Sequence, residues 1–258
     1  MFAIGLGCAG LYGYAGVKAS QAMNARKTAL QLEQAVNNPI PKQEDQTAYV
    51  AIRCLGLAET SSWFPTEKGV LVGRFFMAKA TRSSNPTINV TNSVCFPQEL
   101  SLTFHGQEVI VHHLDLADWD GSLKTATTRH SPEETSILLN AYNLETDLST
   151  RYKLKAEWFE GNQLTLFAQA TRIGNRLYLK QPHDGRSPFI ATTQEPSAYA
   201  ASIKSHSLHL QKQAQNGALL ATLIGSATNA YRIQHKAAKA LSVCVAISSL
   251  TGGVKGLF

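Results

Sequence analysis

The amino-acid sequence predicts an α+β protein: a mainly antiparallel β domain with a few helices, flanked by N- and C-terminal transmembrane helices. Three observations carry this. The middle of the chain is a series of short apolar-polar alternations broken by turn residues. Residues 1–17 are uncharged and 240–258 are apolar apart from Lys255, lengths close to that of a membrane span. The net charge of +6 belongs to those ends, because residues 34–231 hold equal numbers of basic and acidic side chains and Glu33 is the sole acid outside them.

Residues 1–38 are expected to form a transmembrane helix and a helical linker. The first seventeen, MFAIGLGCAGLYGYAGV, carry no charge and are followed by Lys18, Arg26 and Lys27. A span with a basic flank has this order, whereas a signal peptide places its positive charge first. From Lys18 to Asn38 the chain is rich in Ala, Gln, Lys, Leu and Met, which favour helix. Gly5-Leu-Gly7-Cys-Ala-Gly10 is a literal G-x-G-x-x-G, but a dinucleotide site needs a strand before it and only four residues precede Gly5, so no cofactor is expected. Gly7, Gly10, Gly13 and Gly16 recur every third residue and form a ridge that another backbone can approach, through self-association or packing against the other span.

Residues 47–215 are expected to be the β-rich domain. YVAIRCLGLA, VLVGRFFMAKATR, ELSLTFHGQEVIVHHLDL, KLKAEWF, QLTLFAQATRI and RLYLKQ read as strands, with His105-Gly106, Glu160-Gly161-Asn162 and Gly174-Asn175 as turns between them. Ser131-Pro-Glu-Glu opens an internal helix, and a second helix is expected from about Ser197 to Gln215. Residues 216–258 form a C-terminal apolar segment. Its span is placed at 240–258, behind Arg232, His235, Lys236 and Lys239; the uncharged run 217–230 offers the alternative of a hairpin of two short membrane helices. Basic residues flank both ends of the middle domain, so the positive-inside rule favours two spans with that domain facing the cytoplasm.

Composition also excludes functions. A nucleic-acid-binding domain needs a basic face, and a middle with balanced charge could form one only by clustering, which argues against nucleic acid as a partner. Cys8, Cys54, Cys95 and Cys244 are too scattered for zinc spacing or a disulfide framework, so no metal is expected. No G-x-S-x-G elbow or phosphate-binding loop is present.

His112, His113, Asp115, Asp118 and Asp120 form the densest group of potential ligands, yet His112 and His113 on a strand face opposite sides and the run reads better as a strand end followed by a turn. His183-Asp184 reads as the tip of a hairpin closed by Asp184-Gly185, because adjacent turn residues seldom aim at one substrate atom. His112, His113, His183 and Asp184 are therefore the weak candidates for chemistry. No catalytic residue is assigned.

The stretch RYKLKAEWFEGNQLTLFAQATRIGNRLYLKQPHDGRSPFIATTQEPSAYAASI is similar to the signature of the GIDE domain, also called the BAM ("beside a membrane") domain. Leu164 to Ala168 match the family's short strand, and Pro182, Gly185, Pro188, Phe189 and Ile190 match its loop. The resemblance extends over roughly 47–215. It departs at Cys54 and Ala168, where members often carry glycine, and at Ala191, where they carry serine. Eukaryotic members resembling this architecture append a RING that makes them membrane ubiquitin ligases; a RING needs eight zinc ligands, more than four scattered cysteines can build. The resemblance implies a membrane-anchored binding or adaptor module for an unknown protein or peptide at the surface of a lipid bilayer. The alternative is a component related to ubiquitin ligases or an unrecognised membrane-bound enzyme.

Overall fold

The structure, a computed structural model, describes residues 2–59, 64, 66–79, 90–96, 100–121, 123–128 and 152–252. The helix expected at Ser131 lies outside the described residues. The described elements make an α+β protein with mostly antiparallel strands. The chain divides into two compact units, Thr28–Ile203 and Met1–Lys27 with Lys204–Phe258.

Helix α1, Phe2–Asn37, ends where Asn38 precedes Pro39, a residue pair that disfavours further helix. Its last turn is closed by Asn37 Nδ2 donating to the Glu33 carbonyl and by the Asn38 amide donating to the Gln34 carbonyl. Helix α2, Pro196–Gly252, opens with proline at a first-turn position, where the missing N–H costs nothing.

Between the helices lie β1 (Thr47–Leu55), β2 (Val70–Lys79), β3 (Val90–Phe96), β4 (Leu100–Phe104), β5 (Gln107–Val111), β6 (Asp118–Asp120), β7 (Lys124–Thr128), β8 (Tyr152–Glu160), β9 (Gln163–Ile173), β10 (Arg176–Lys180) and β11 (Ile190–Thr192). Strands β1, β4, β5, β10 and β9 pair in that order, and β9 pairs back onto β1 over nine residues, from Thr47↔Thr171 to Leu55↔Gln163. The ring is closed. Counting barrel strands alone, the order is first, second, third, fifth, fourth and back to the first, with β5 and β10 parallel. This is the connectivity of the five-stranded, partly open Greek-key barrels of the OB type, and it assigns no function by itself.

Alternation fills the barrel. Val50, Ile52 and Cys54 of β1 point inward with Leu102 of β4, Val109 and Val111 of β5, Leu164 and Leu166 of β9, and Leu177 and Leu179 of β10. The opposite face of β1 and β9 is apolar too, with Tyr49, Ala51 and Phe167 meeting Leu32 and Ala35 of α1 and Tyr199 and Ala200 of α2. Two-sided burial explains why β9 reads as a nearly continuous apolar run rather than a strict alternation.

A second sheet, ordered β3-β2-β8-β7, is built from the long connections between barrel strands. Its own core holds Phe64 stacked on Phe75 with centroids 4.7 Å apart, and Trp158 beside them. Gly73 is dictated by this packing, because a Cβ there would stand 2.0 Å from the Phe64 ring. Arg74 and Glu157 face each other across β2 and β8; the Arg74 Nε and Nη2 both reach Glu157 Oε2 at 2.9 Å, and Lys155 takes the other oxygen. Arg74 also covers the Trp119 ring at 4.4 Å and donates to the Ala117 carbonyl. Burial alone would raise the Glu157 carboxyl, but the hydrogen bonds from Lys155 and Arg74 outweigh it and hold the group below the ordinary carboxylate range.

In the helical unit, the half of α1 up to Lys27 packs antiparallel against α2 from Lys204 on. Leu11, Ala15, Lys18, Ala22 and Ala25 mark one seam at alternating spacings of four and three, and Ser207, Leu210, Ala214, Gly217 and Ala221 mark the other. A Cβ at Gly217 would sit 3.3 Å from that of Ala15, and Ser207 Oγ donates to the Ala22 carbonyl at 3.1 Å. Gly10, Gly13 and Gly16 lie off this seam with no other atom within 4 Å of an added Cβ, so within the chain the two helices approach at Ala15, Ala22 and Gly217.

Among the described residues no helix is long and apolar enough to cross a membrane. The flanking transmembrane spans expected at 1–17 and 240–258 are thus not supported: Gly and Tyr dilute the first, and the second runs past the described residues at Gly252. The hairpin alternative at the C-terminus also fails, because α2 continues through residues 231–239 without a turn.

Candidate functional site

Strand β1 ends at Arg53-Cys54-Leu55, and β4 ends at Thr103-Phe104 before the His105-Gly106 turn, whose residues take φ of 45° and 78°. The two strands meet in one register pair, Leu55↔Thr103. Where they part, a cleft of about 230 Å³ opens between β1, β4 and the start of β9. Its polar wall is Arg53, Thr103, His105 and Gln163, and its apolar wall is Leu55 and Phe104, with the Phe104 and His105 rings edge to face at 4.3 Å.

Arg53 is held in place from two sides. Its Nε donates to Gln163 Oε1 at 3.1 Å, and Nη1 pairs with Glu195 Oε1 at 2.6 Å. Glu195 is largely exposed, so the guanidinium remains a partly neutralised cation at the cleft edge. Leu55 and Leu57 are exposed beside it, Leu57 almost completely. Such a site takes an extended segment that offers a hydrogen-bonding backbone and an apolar side chain. It does not supply a nucleophile: burial pushes the Cys54 thiol up to about 12, leaving it protonated in the barrel core.

The loop from Pro182 to Ile190 is a turn built around Asp184. The carboxylate Oδ1 accepts the backbone N–H groups of Ser187 and Arg186, each at 2.9 Å, and Oδ2 accepts the Ser187 hydroxyl at 2.7 Å. Those bonds, the Ser187 amide first, hold the Asp184 carboxyl below its ordinary value. Gly185 sits at φ 58°. The side chain of His183 is exposed, while its amide donates to Gln169 Oε1. Pro182 is buried, the Pro188 carbonyl accepts the Tyr49 hydroxyl at 2.7 Å, Phe189 enters the barrel core and Ile190 packs beneath the helices. Burial, and then the charge of Asp184, raise the Tyr49 hydroxyl.

His112 and His113 follow β5 rather than lying within it. His112 stacks on Tyr178 with centroids 5.6 Å apart and planes 5° from parallel, and His113 is exposed in a left-handed conformation at φ 54°. Asp118 and Asp120 flank the buried Trp119 on β6. Among the described residues no group of three or more His, Cys, Asp or Glu could hold a metal ion.

The structure thus separates His183 and Asp184, in their turn, from His112 and His113, on the Tyr178 side of the barrel. It brings together Arg53, Gln163, Glu195, Thr103 and Phe104, which no sequence motif marks. Their one local signal is the exposed Leu-Gly-Leu at 55–57, which interrupts the alternation at the strand end. Comparison with protein-family models, with curated proteins and with solved structures finds no match.

Proposed function

We propose that the chain is a membrane-anchored binding or adaptor module, GIDE-like in its sequence pattern, that takes an extended protein segment at the cleft between β1 and β4. One observation carries the binding part: the barrel is joined there by a single pair, Leu55↔Thr103, beside an apolar floor and a fixed guanidinium. Strand addition at such a parting uses main-chain hydrogen bonds for affinity and the Leu55–Phe104 wall for selectivity. The basic residues that flank the middle domain favour the cytoplasmic side of a membrane for this ligand.

Site-specific photo-crosslinking of the full chain tests the cleft. A photoreactive residue at Thr103 is expected to give a discrete adduct that falls several-fold with Arg53→Ala, while the same probe at the exposed Ile173 gives none. Equal adducts at both positions, or indifference to Arg53→Ala, overturn the reading. Arg53 is partly exposed, and both its partners lie at the surface, so its removal leaves the core intact.

A further inference from the structure

We propose that the lipid-contacting element is the helical pair itself, residues 2–17 of α1 side by side with residues 213–231 of α2, and that the 240–258 segment is not required. This rests on the membrane-anchored reading above and identifies which residues meet the bilayer.

The register of the pair supports it. Ala22 contacts Ser207, Ala15 meets Gly217, and the Tyr12 hydroxyl bonds Thr222 Oγ1 at 3.2 Å. Following that register, the uncharged run before Lys18 lies against the uncharged run between Lys212 and Arg232. The described contacts run from Ala22 to Tyr12 of α1, about 15 Å at 1.5 Å per residue. Chance placement of charges along two helices does not require this match.

The window is inverted relative to a water-soluble pair. Small residues occupy its seam, while Val17, Leu219, Leu220, Leu223 and Ile224 face outward and are exposed. Water solvates none of these well, and lipid solvates all of them. The Ser and Thr hydroxyls inside the window are satisfied without water. Thr222 donates to the Ala218 carbonyl, Ser226 to that of Leu223 and Thr228 to that of Ile224. An apolar solvent demands such internal pairing.

Cations frame the window at both limits. Lys18 and Lys212 stand at one, with Arg26, Lys27 and Lys204 beyond, and Arg232 and Lys236 stand at the other. Tyr231 is exposed at one end and Tyr14 towards the other, where aromatic side chains meet headgroups, while Tyr12, bonded to Thr222, lies nearer the middle. Among the described residues neither helix alone is long and apolar enough to cross a membrane; the pair answers the Thr222, Ser226 and Thr228 hydroxyls internally, while the amides of Gln215, Asn216 and Asn229 remain exposed. Anionic headgroups complement both cationic collars.

Flotation of the full-length protein with vesicles of phosphatidylcholine containing a quarter phosphatidylglycerol tests this. Leu219→Lys combined with Leu223→Lys is expected to lower the floated fraction at least about tenfold, since lysine is costly inside hydrocarbon. Val245→Lys combined with Ile247→Lys is expected to float like the original chain. Circular dichroism checks that helicity is retained, since Leu219 and Leu223 are outside the seam. Loss of flotation in the 245/247 variant, or its survival in the 219/223 variant, overturns the inference while leaving the membrane reading in place. If the original chain does not float, both fall. A discrete dimer in buffer that the 219/223 variant dissociates then assigns the face to a second copy.

Discussion

The two units bury opposite kinds of residue. In the β unit, large side chains such as Phe159, Leu164 and Leu166 are wholly buried. In the helical unit the buried positions are mostly small, Ala15, Ala22, Ser207, Gly217 and Ala221 beside Leu210, while Leu219 and Leu223 are exposed. The barrel derives its stability from the apolar area it removes from water, roughly 25 cal/mol per Å². The helical pair derives little from area and more from close backbone approach, leaving its largest apolar groups for another solvent or partner.

Substitution can break or sharpen that contrast. The largest expected effect is Phe159→Ala, which empties the junction of the barrel and the second sheet and should cost about 4 kcal/mol in denaturant unfolding. The matching truncation outside the helical seam, Leu219→Ala, should change unfolding in buffer by less than about 0.5 kcal/mol. A cost near that of Phe159→Ala would show that Leu219 is covered within the single chain.

Next is Glu157→Ala, which leaves Arg74 buried beside Trp119 without its carboxylate. The expected cost is about 3 kcal/mol, at the low end for buried pairs because Lys155 is half-exposed. The sign of its pH dependence follows from a carboxyl held below its ordinary value. Its contribution is present above the unfolded carboxylate value, near 4.5, and is lost as pH falls through the lower folded value. Acid unfolding followed by tryptophan fluorescence should therefore flatten in the variant over that window.

Ala22→Leu probes the seam by adding bulk where Ser207 and α2 come close. The expected loss is about 2 kcal/mol by overpacking, confined to the helical unit and read by local hydrogen exchange. A neutral result would mean that the helices are not held in close contact. The smallest effect is Gly185→Ala, which strains a residue at φ 58° by about 1 kcal/mol without touching the cleft. It should leave Thr103 crosslinking unchanged.

Much of the β unit was legible in the sequence. The expected strand runs contain β2, β4, β5, β9 and β10 and most of β1 and β8, but the hairpin expected at Asp184-Gly185 does not form: the chain turns there, yet β10 pairs with β5 and β9 while β11 pairs with β6 and β9. Cys54, Ala168 and Ala191 all lie in the core cluster of the barrel. The cleft was not legible. Arg53, Thr103 and Gln163 are far apart in the chain, and each is an ordinary residue at a strand end. Their meeting depends on β9 returning to β1, a pairing that no local pattern encodes.

The helical ends show the same limit. Lack of charge and helix-forming composition mark both segments, but continuity of α2 through 231–239 and the choice of alanine over glycine for the seam emerge only with the partner helix in place. By itself the sequence determined the period of each element, hence which side chains share a face, because backbone geometry fixes that period locally. The tertiary structure decided which faces meet, where the barrel closes and where it parts, and which apolar residues are left uncovered. Those outcomes depend on complementarity between segments more than a hundred residues apart in the case of β1 and β9, and that complementarity exists only once both are folded.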